Sequence, residues 1–124
     1  MEIKEFKRFR QRMNKTQRQL AQLLGTSLKA IHSYEQGWRN IPVHVERQML
    51  FLISRMKENR KDRKPCWVIK KCPSEIKKQC PAWEFQAGNL CWFINGTICC
   101  GGACKDWEDK MKCCRSCDVL TSLL

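Results

Sequence analysis

The run from Thr16 to Gln36, TQRQLAQLLGTSLKAIHSYEQ, constrains the fold of this chain more than any other stretch. Leu20, Ala21, Leu23 and Leu24 recur at helical spacing, and Ala30, Ile31 and Tyr34 do so further on. Gly25 stands between the two sets and suits the left-handed backbone in which helices end. Thr16 is an N-cap with Gln19 as its capping-box partner, and Ser27 can cap the second pattern after a very short turn. The run therefore predicts two short amphipathic helices broken at Gly25, the layout of a helix-turn-helix.

The flanking residues extend the pattern. Ile3, Phe6, Phe9 and Met13 share one helical face, with Lys and Arg on the other, and Asn14-Lys15 breaks that helix. Pro42 is placed as the first residue of another, and residues 43–56 read as one long amphipathic helix. Its cluster Met49, Leu50, Phe51, Leu52 and Ile53 exceeds a one-sided stripe. We expect it to complete a five-helix core, with packing against the tail or a second subunit as the alternative. His32 and His44 have no ligand-like partner nearby and read as surface residues.

Charge is uneven. Residues 1–64 hold 16 Lys and Arg against 6 Asp and Glu, a net of +10, whereas residues 65–124 hold 8 against 6, a net of +2. A basic half of this kind is either a solvated surface or a site of attraction to a polyanion. Charge alone does not separate nucleic acid from an anionic membrane. The outward face of the third helical pattern adds the distinction, since spacing places Leu28, Lys29, His32, Ser33 and Gln36 there. A helix that only packed would not need Leu28 exposed beside Lys29 at its N-terminal end. In a recognition helix those positions reach base edges, where Leu meets a thymine methyl and Lys a guanine acceptor pair.

Gln17, Leu20-Ala21, Gly25, Ser27, Ile31 and Tyr34-Glu35-x-Gly37 together resemble the Cro/CI-type helix-turn-helix family of phage and bacterial regulators. The resemblance covers roughly residues 3–58. It implies a lambda-repressor-like helical domain that binds double-stranded DNA as a homodimer. By that resemblance Gln17 holds a phosphate and braces the recognition helix. Ser27, Leu28, Lys29 and Ser33 fall where bases or nearby phosphates are met. Glu35, Gly37, Arg39 and Asn40 fall at the helix end and following loop, where a backbone phosphate is met. The family usually has two short helices where this chain shows one long pattern after Pro42.

Residues 59–65 continue a charge run that ends in Pro65, which reads as a solvated helix end passing into a linker. All ten cysteines follow it, between Cys66 and Cys117. A segment of about 60 residues buries too little surface to fold comfortably on its core alone, so it needs staples. The N-terminus lacks an apolar signal stretch and no window approaches transmembrane length, so we expect a cytoplasmic chain without membrane partners. Reduced thiols in that compartment favour metal binding or redox chemistry over structural disulfides. Only Cys114-x-x-Cys117 has the tight spacing of a metal knuckle, and neither a standard zinc ribbon nor a ferredoxin run is present.

A weak repeat links Cys66-Trp67 with Cys72 to Cys91-Trp92 with Cys99. With Cys80-Pro-Ala-Trp83 and Cys114-x-x-Cys117, the segment resembles the bacterial two-CW cysteine-rich domain. Cys66, Cys72, Cys80, Cys91, Cys99, Cys114 and Cys117 fit that pattern, and Cys100, Cys104 and Cys113 are additional; the resemblance names a module and leaves its ligand open, and we take the seven as the candidate metal ligands. Three readings compete. The thiols hold a metal or iron–sulfur centre, they form a redox switch at the adjacent pairs Cys99-Cys100 and Cys113-Cys114, or they hold a structural zinc.

The expected protein is mainly α, with a helix-turn-helix DNA-binding domain over 1–58, a charged linker over 59–65 and a small irregular, metal-stabilised cysteine-rich module over 66–120. Its expected function is sequence-specific transcriptional regulation, with a tail that binds zinc or an iron–sulfur centre and senses redox state or metal. The alternative is an adaptor, or a structural zinc-stabilised protein, whose tail engages a protein partner. No nucleophile–base pair, clustered carboxylates or phosphate-cradling glycine loop points to an enzyme.

Overall fold

The structure, a computed structural model, describes residues 1–60, 63–99 and 102–124. The chain divides into two compact units, Met1–Met56 and Lys57–Leu124. The described residues are mainly helical and include no strand.

In the first unit, α1 spans Ile3–Arg12, α2 Gln17–Leu24, α3 Leu28–Gln36 and α4 Val43–Ser54. The ends form as their sequences dictate. Thr16 Oγ1 accepts from the Gln19 amide at 3.1 Å while Gln19 Oε1 accepts from the Thr16 amide at 2.9 Å, closing the capping box of α2. Gly25 takes a φ of 65°, and the Thr26 amide reaches back to the Ala21 carbonyl at 3.0 Å. Ser27 Oγ then accepts from the Ala30 amide at 3.0 Å to start α3. Gly37, at a φ of 79°, ends α3 with the same device, the Trp38 amide donating to the Ser33 carbonyl at 3.0 Å. These paired bonds satisfy carbonyls that a helix end would otherwise leave bare.

The core of this unit is Phe6, Phe9, Leu20, Ile31, Val45, Met49, Leu50 and Ile53, with Tyr34 meeting Phe6 edge-on at 6.0 Å. Four helices are present among the described residues of the unit where five were expected, because α4 runs unbroken. Pro42 precedes it as the N-cap instead of forming its first turn. Of the α4 apolar cluster, Phe51 remains exposed and Leu52 half-buried. Leu23 and Ile3, expected inside, are exposed. The buried arc of α2 centres on Leu20, Ala21 and Leu24, so Leu23 falls at its edge.

The second unit is built of short pieces. A single 3₁₀ turn at Lys57–Asn59 opens it, followed by α5 (Cys66–Ile69), α6 (Ser74–Gln79) and α7 (Pro81–Glu84). A 3₁₀ turn at Cys91–Phe93 leads on to α8 (Trp107–Cys114) and α9 (Asp118–Thr121). Trp92, Trp107, Met111, Val119, Leu120 and Leu123 form its core. Gly88 is required by close approach, since a Cβ there would stand 2.4 Å from Pro65 Cβ and 2.9 Å from Pro65 Cα.

Two residues of the charge run at 59–65 are not solvated linker residues. Asn59 is buried and its Nδ2 donates to the Leu123 carbonyl at 3.2 Å, while Arg63 donates to the Val119 carbonyl at 3.3 Å and to the Ser122 hydroxyl. Buried carbonyls of the last turns need donors, and this run supplies them. Lys61 and Asp62 lie outside the described residues. The boundary at Met56 also redistributes charge: Met1–Met56 holds 11 Lys and Arg against 4 Asp and Glu, and Lys57–Leu124 holds 13 against 8.

Candidate nucleic-acid interface and cysteine-lined cavity

The N-terminal turn of α3 and the loop after it form an exposed surface. Ser27, Leu28, Lys29 and His32 are exposed there, as are Trp38, Arg39 and Asn40. Leu28 is 38% exposed beside Lys29, an apolar and a cationic group side by side at the helix start. Trp38 is 70% exposed and meets the His32 ring edge-on at 5.3 Å. No local periodicity marks Trp38; its exposure follows from the left-handed turn at Gly37 just before it.

Behind this surface lies a buried polar network. Glu35 is 3% exposed and accepts from Arg10 Nε at 2.7 Å and from Arg10 Nη2 at 3.4 Å. Gln17 Nε2 donates to Glu35 Oε2, the oxygen that also takes Arg10 Nη2, and Arg10 Nη1 donates to the Lys15 carbonyl at 3.0 Å. One carboxylate thus joins α1, the first residue of α2 and the C-terminal half of α3. Gln17 braces the third helix through this bond.

Glu35 is enclosed by Arg10 and Gln17, so its carboxylate does not face the solvent where a phosphate would sit. Ser33, expected outward, is 5% exposed because the Gly37–Trp38 turn folds back over it. Gln17 is half-buried, while Ser27, Leu28, Lys29, Arg39 and Asn40 stand exposed as expected.

In the second unit the fold gathers thiols around a cavity of about 660 Å³. Of the seven candidate ligands, Cys66, Cys91, Cys99, Cys114 and Cys117 line it, joined by Cys104 and Cys113. Cys72 and Cys80 instead line a smaller cavity of about 220 Å³ beside Trp67 and Trp83, with Cys66 and Cys99 shared between the two. Cys66 and Cys91, the first cysteines of the two repeats, are hydrogen-bonded to each other. That bond holds the Cys66 thiol below its usual range, and the bond and burial together push Cys91 up. Burial pushes Cys99 up to about 11 and raises Cys114, and the Lys110 ammonium pulls against both shifts. Burial also raises Cys72.

The repeat is not equivalent in its tryptophans. Trp92 is fully buried and donates to the Asn89 carbonyl at 3.2 Å, whereas Trp67 is half-buried and meets Trp83 edge-on at 5.0 Å. Eight of the described cysteines are free thiols, and Cys113 is disulfide-bonded. Cys100 lies outside the described residues. Among the described residues no group of three or more His, Cys, Asp or Glu side chains is arranged to hold a metal ion. Lys110, which sequence reasoning passed over, is 3% exposed, lines the thiol cavity and donates to the buried Thr97 hydroxyl. One basic residue in a polar run carries no sign that it turns inward.

The first unit therefore carries a capped second helix, a glycine turn and a third helix with an exposed N-terminal end, the layout of a helix-turn-helix. Residues 6–44 match the family model described as helix-turn-helix, which supports a DNA-binding regulatory role. No curated protein and no solved structure matches the chain. No helix among the described residues is long and apolar enough to cross a membrane.

Proposed function

We propose that this chain is a sequence-specific transcriptional regulator that binds double-stranded DNA as a homodimer in the cytoplasm. One observation carries the reading: the family-matched segment presents Ser27, Leu28 and Lys29 on an exposed helix start braced from behind by Gln17 and Glu35. Lys29 suits a guanine acceptor pair and Leu28 a thymine methyl, with Arg39 and Asn40 on the flanking phosphates. The test is an anaerobic mobility-shift titration at physiological salt, using random and upstream genomic fragments. A preferred sequence bound at least ~10³-fold more tightly than random DNA is the expected result. Uniform affinity that only falls with salt sinks the regulator reading.

The proposal extends to the tail. Its thiols hold a metal centre, and redox state or metal supply acts on DNA binding through it. A single tetrahedral zinc needs each sulfur within about 2.3 Å of one point, and the described donors are not grouped that way. A multinuclear iron–sulfur centre separates its thiolates by the irons and sulfides between them. What favours a thiolate-held centre is that five of the seven candidate ligands line one cavity. Cys66, Cys91, Cys99 and Cys114 would hold the centre, which when bound supplies one-electron redox chemistry. Exposed Val68, Ile76 and Phe85 favour a second reading, in which the tail docks a protein partner. Replacing all three with Ser leaves DNA regulation intact if the tail senses, and abolishes function if it docks.

A further inference from the structure

Two of the buried thiols already touch. Cys66 opens α5 and Cys91 opens the 3₁₀ turn that follows α7, 25 positions later, yet their side chains are hydrogen-bonded to each other. Both are free thiols, 7% and 5% exposed. Burial at that level keeps the thiol of another chain away from either sulfur, so the first partner each can meet is the other. A small oxidant is not kept out in the same way. Both side chains line the cavity of about 660 Å³, many times the room that a water molecule needs. Cys113, which is disulfide-bonded, lines it too. Two cysteines can be bridged only where the backbone brings their sulfurs together, and a hydrogen-bonded pair is already close to that condition.

We propose that Cys66 and Cys91 form a dithiol site for hydrogen peroxide, which closes them to a disulfide tying the two Cys-Trp repeats together. The pair is neither of the adjacent pairs Cys99-Cys100 and Cys113-Cys114, and it needs no metal centre. One sulfur, as thiolate, attacks a peroxide oxygen. An S–O bond forms, the O–O bond breaks, and the hydroxide released takes up that thiol's proton and leaves as water. The other sulfur then attacks the sulfenic sulfur. An S–S bond forms, the S–O bond breaks, and a second water leaves with the second thiol's proton. Two thiols are oxidised and one peroxide is reduced to two waters. A second thiol in contact traps the sulfenic acid before further oxidation, so the product is a disulfide and not a sulfinic acid. The bridge closes the segment holding α6 and α7 into a loop and ties α5 to the 3₁₀ turn. Loop closure narrows the unfolded ensemble, so the oxidised unit gains thermal stability.

The experiment uses the full chain, kept metal-free with a chelator and titrated with hydrogen peroxide up to one equivalent. Free thiols are capped with a light maleimide in denaturant, then the chain is reduced, capped with a heavy maleimide and digested. Cys66 is read on a tryptic peptide and Cys91 on a chymotryptic one. The two should pass from light to heavy label in step, and without reduction a peptide linking them should appear. Intact mass should fall by two hydrogens with no oxygen gained. The melting midpoint of the second unit should rise by about 10 °C. Cys91→Ser removes the trapping thiol, so its mass should gain oxygen and peptides linked through Cys66 should fall at least tenfold. Cys72→Ser, on the other cavity, should oxidise as the wild type does.

Loss of the Cys66 and Cys91 thiols at different peroxide doses overturns the proposal, as does a Cys66 peptide linked to any cysteine other than Cys91. Oxygen gained by the wild type at one equivalent, or both thiols still carrying light label, overturns it equally. If Cys91→Ser does not fold, the label shift and the linked peptide of the wild type decide the matter. Failure of the chain to take up iron and sulfide would end the metal-centre reading and leave this pairing standing.

Discussion

Replacing Glu35 with Ala should cost the first unit a large part of its stability without touching the DNA-facing surface. The substitution removes two bonds from Arg10, at 2.7 and 3.4 Å, together with the acceptor for Gln17. Hydrogen bonds to charged groups contribute ~1.5–3 kcal/mol each. The Arg10 side chain is 18% exposed against 2% for Glu35, so water partly rehydrates the orphaned guanidinium and the low end applies. The bond at 3.4 Å is long and adds little, so the other two together give a loss of about 3 kcal/mol. A unit the size of Met1–Met56 has a total stability of roughly 3–8 kcal/mol, and its melting midpoint should drop by about 10–25 °C. Hydrogen exchange read by mass spectrometry on the intact chain localises the effect. Protection should fall across α1, α2 and α3 and hold in α8. Glu35→Gln keeps the acceptor geometry without the charge and should lose about half as much. A Glu35→Ala chain within about 0.5 kcal/mol of wild type refutes the bracing role, as does equal loss in the Ala and Gln variants.

Gly25→Ala meets no atom within 4 Å, so its cost is the left-handed backbone alone, about 1–2 kcal/mol by denaturant titration. Gly88→Ala places a Cβ 2.4 Å from Pro65, an overpacking of about 1–3 kcal/mol that should loosen exchange protection around α5 and leave α2 unaffected. On a selected operator, Lys29→Ala should weaken binding by about 1–3 kcal/mol and relax preference at one base pair. Ser33→Ala, behind the surface, should bind DNA as the wild type does in the same titration.

Much of the first unit was legible because its signals are local. The Thr16–Gln19 box, the glycine turn at Gly25 and the Ser27 cap each act over three or four residues, and each forms as read. Periodicity was a blunter guide at the edges of a stripe, where Leu23 and Ile3 turned outward. Glu35 and Ser33 depend on contacts with no local trace: a bond to Arg10 across 25 positions in one case, and a turn folding back in the other. In the cysteine-rich unit, spacing singled out the thiols. It could not show that Cys72 and Cys80 part company with Cys91 and Cys114. Helices of four to eight residues leave too little periodicity to orient a side chain. Lys110 reads like any surface lysine until α8 is folded against the cavity.

The clasp of Asn59 on the Leu123 carbonyl has a consequence for how such a unit can travel. Where the opening turn of a module grips its closing turn, entrance and exit stand side by side. Such a module is spliced into a host chain at a single surface loop without prying the host apart. The same clasp makes the last few residues structural, so a fusion joined directly at Leu124 pulls on the first turn of the module as well as its last.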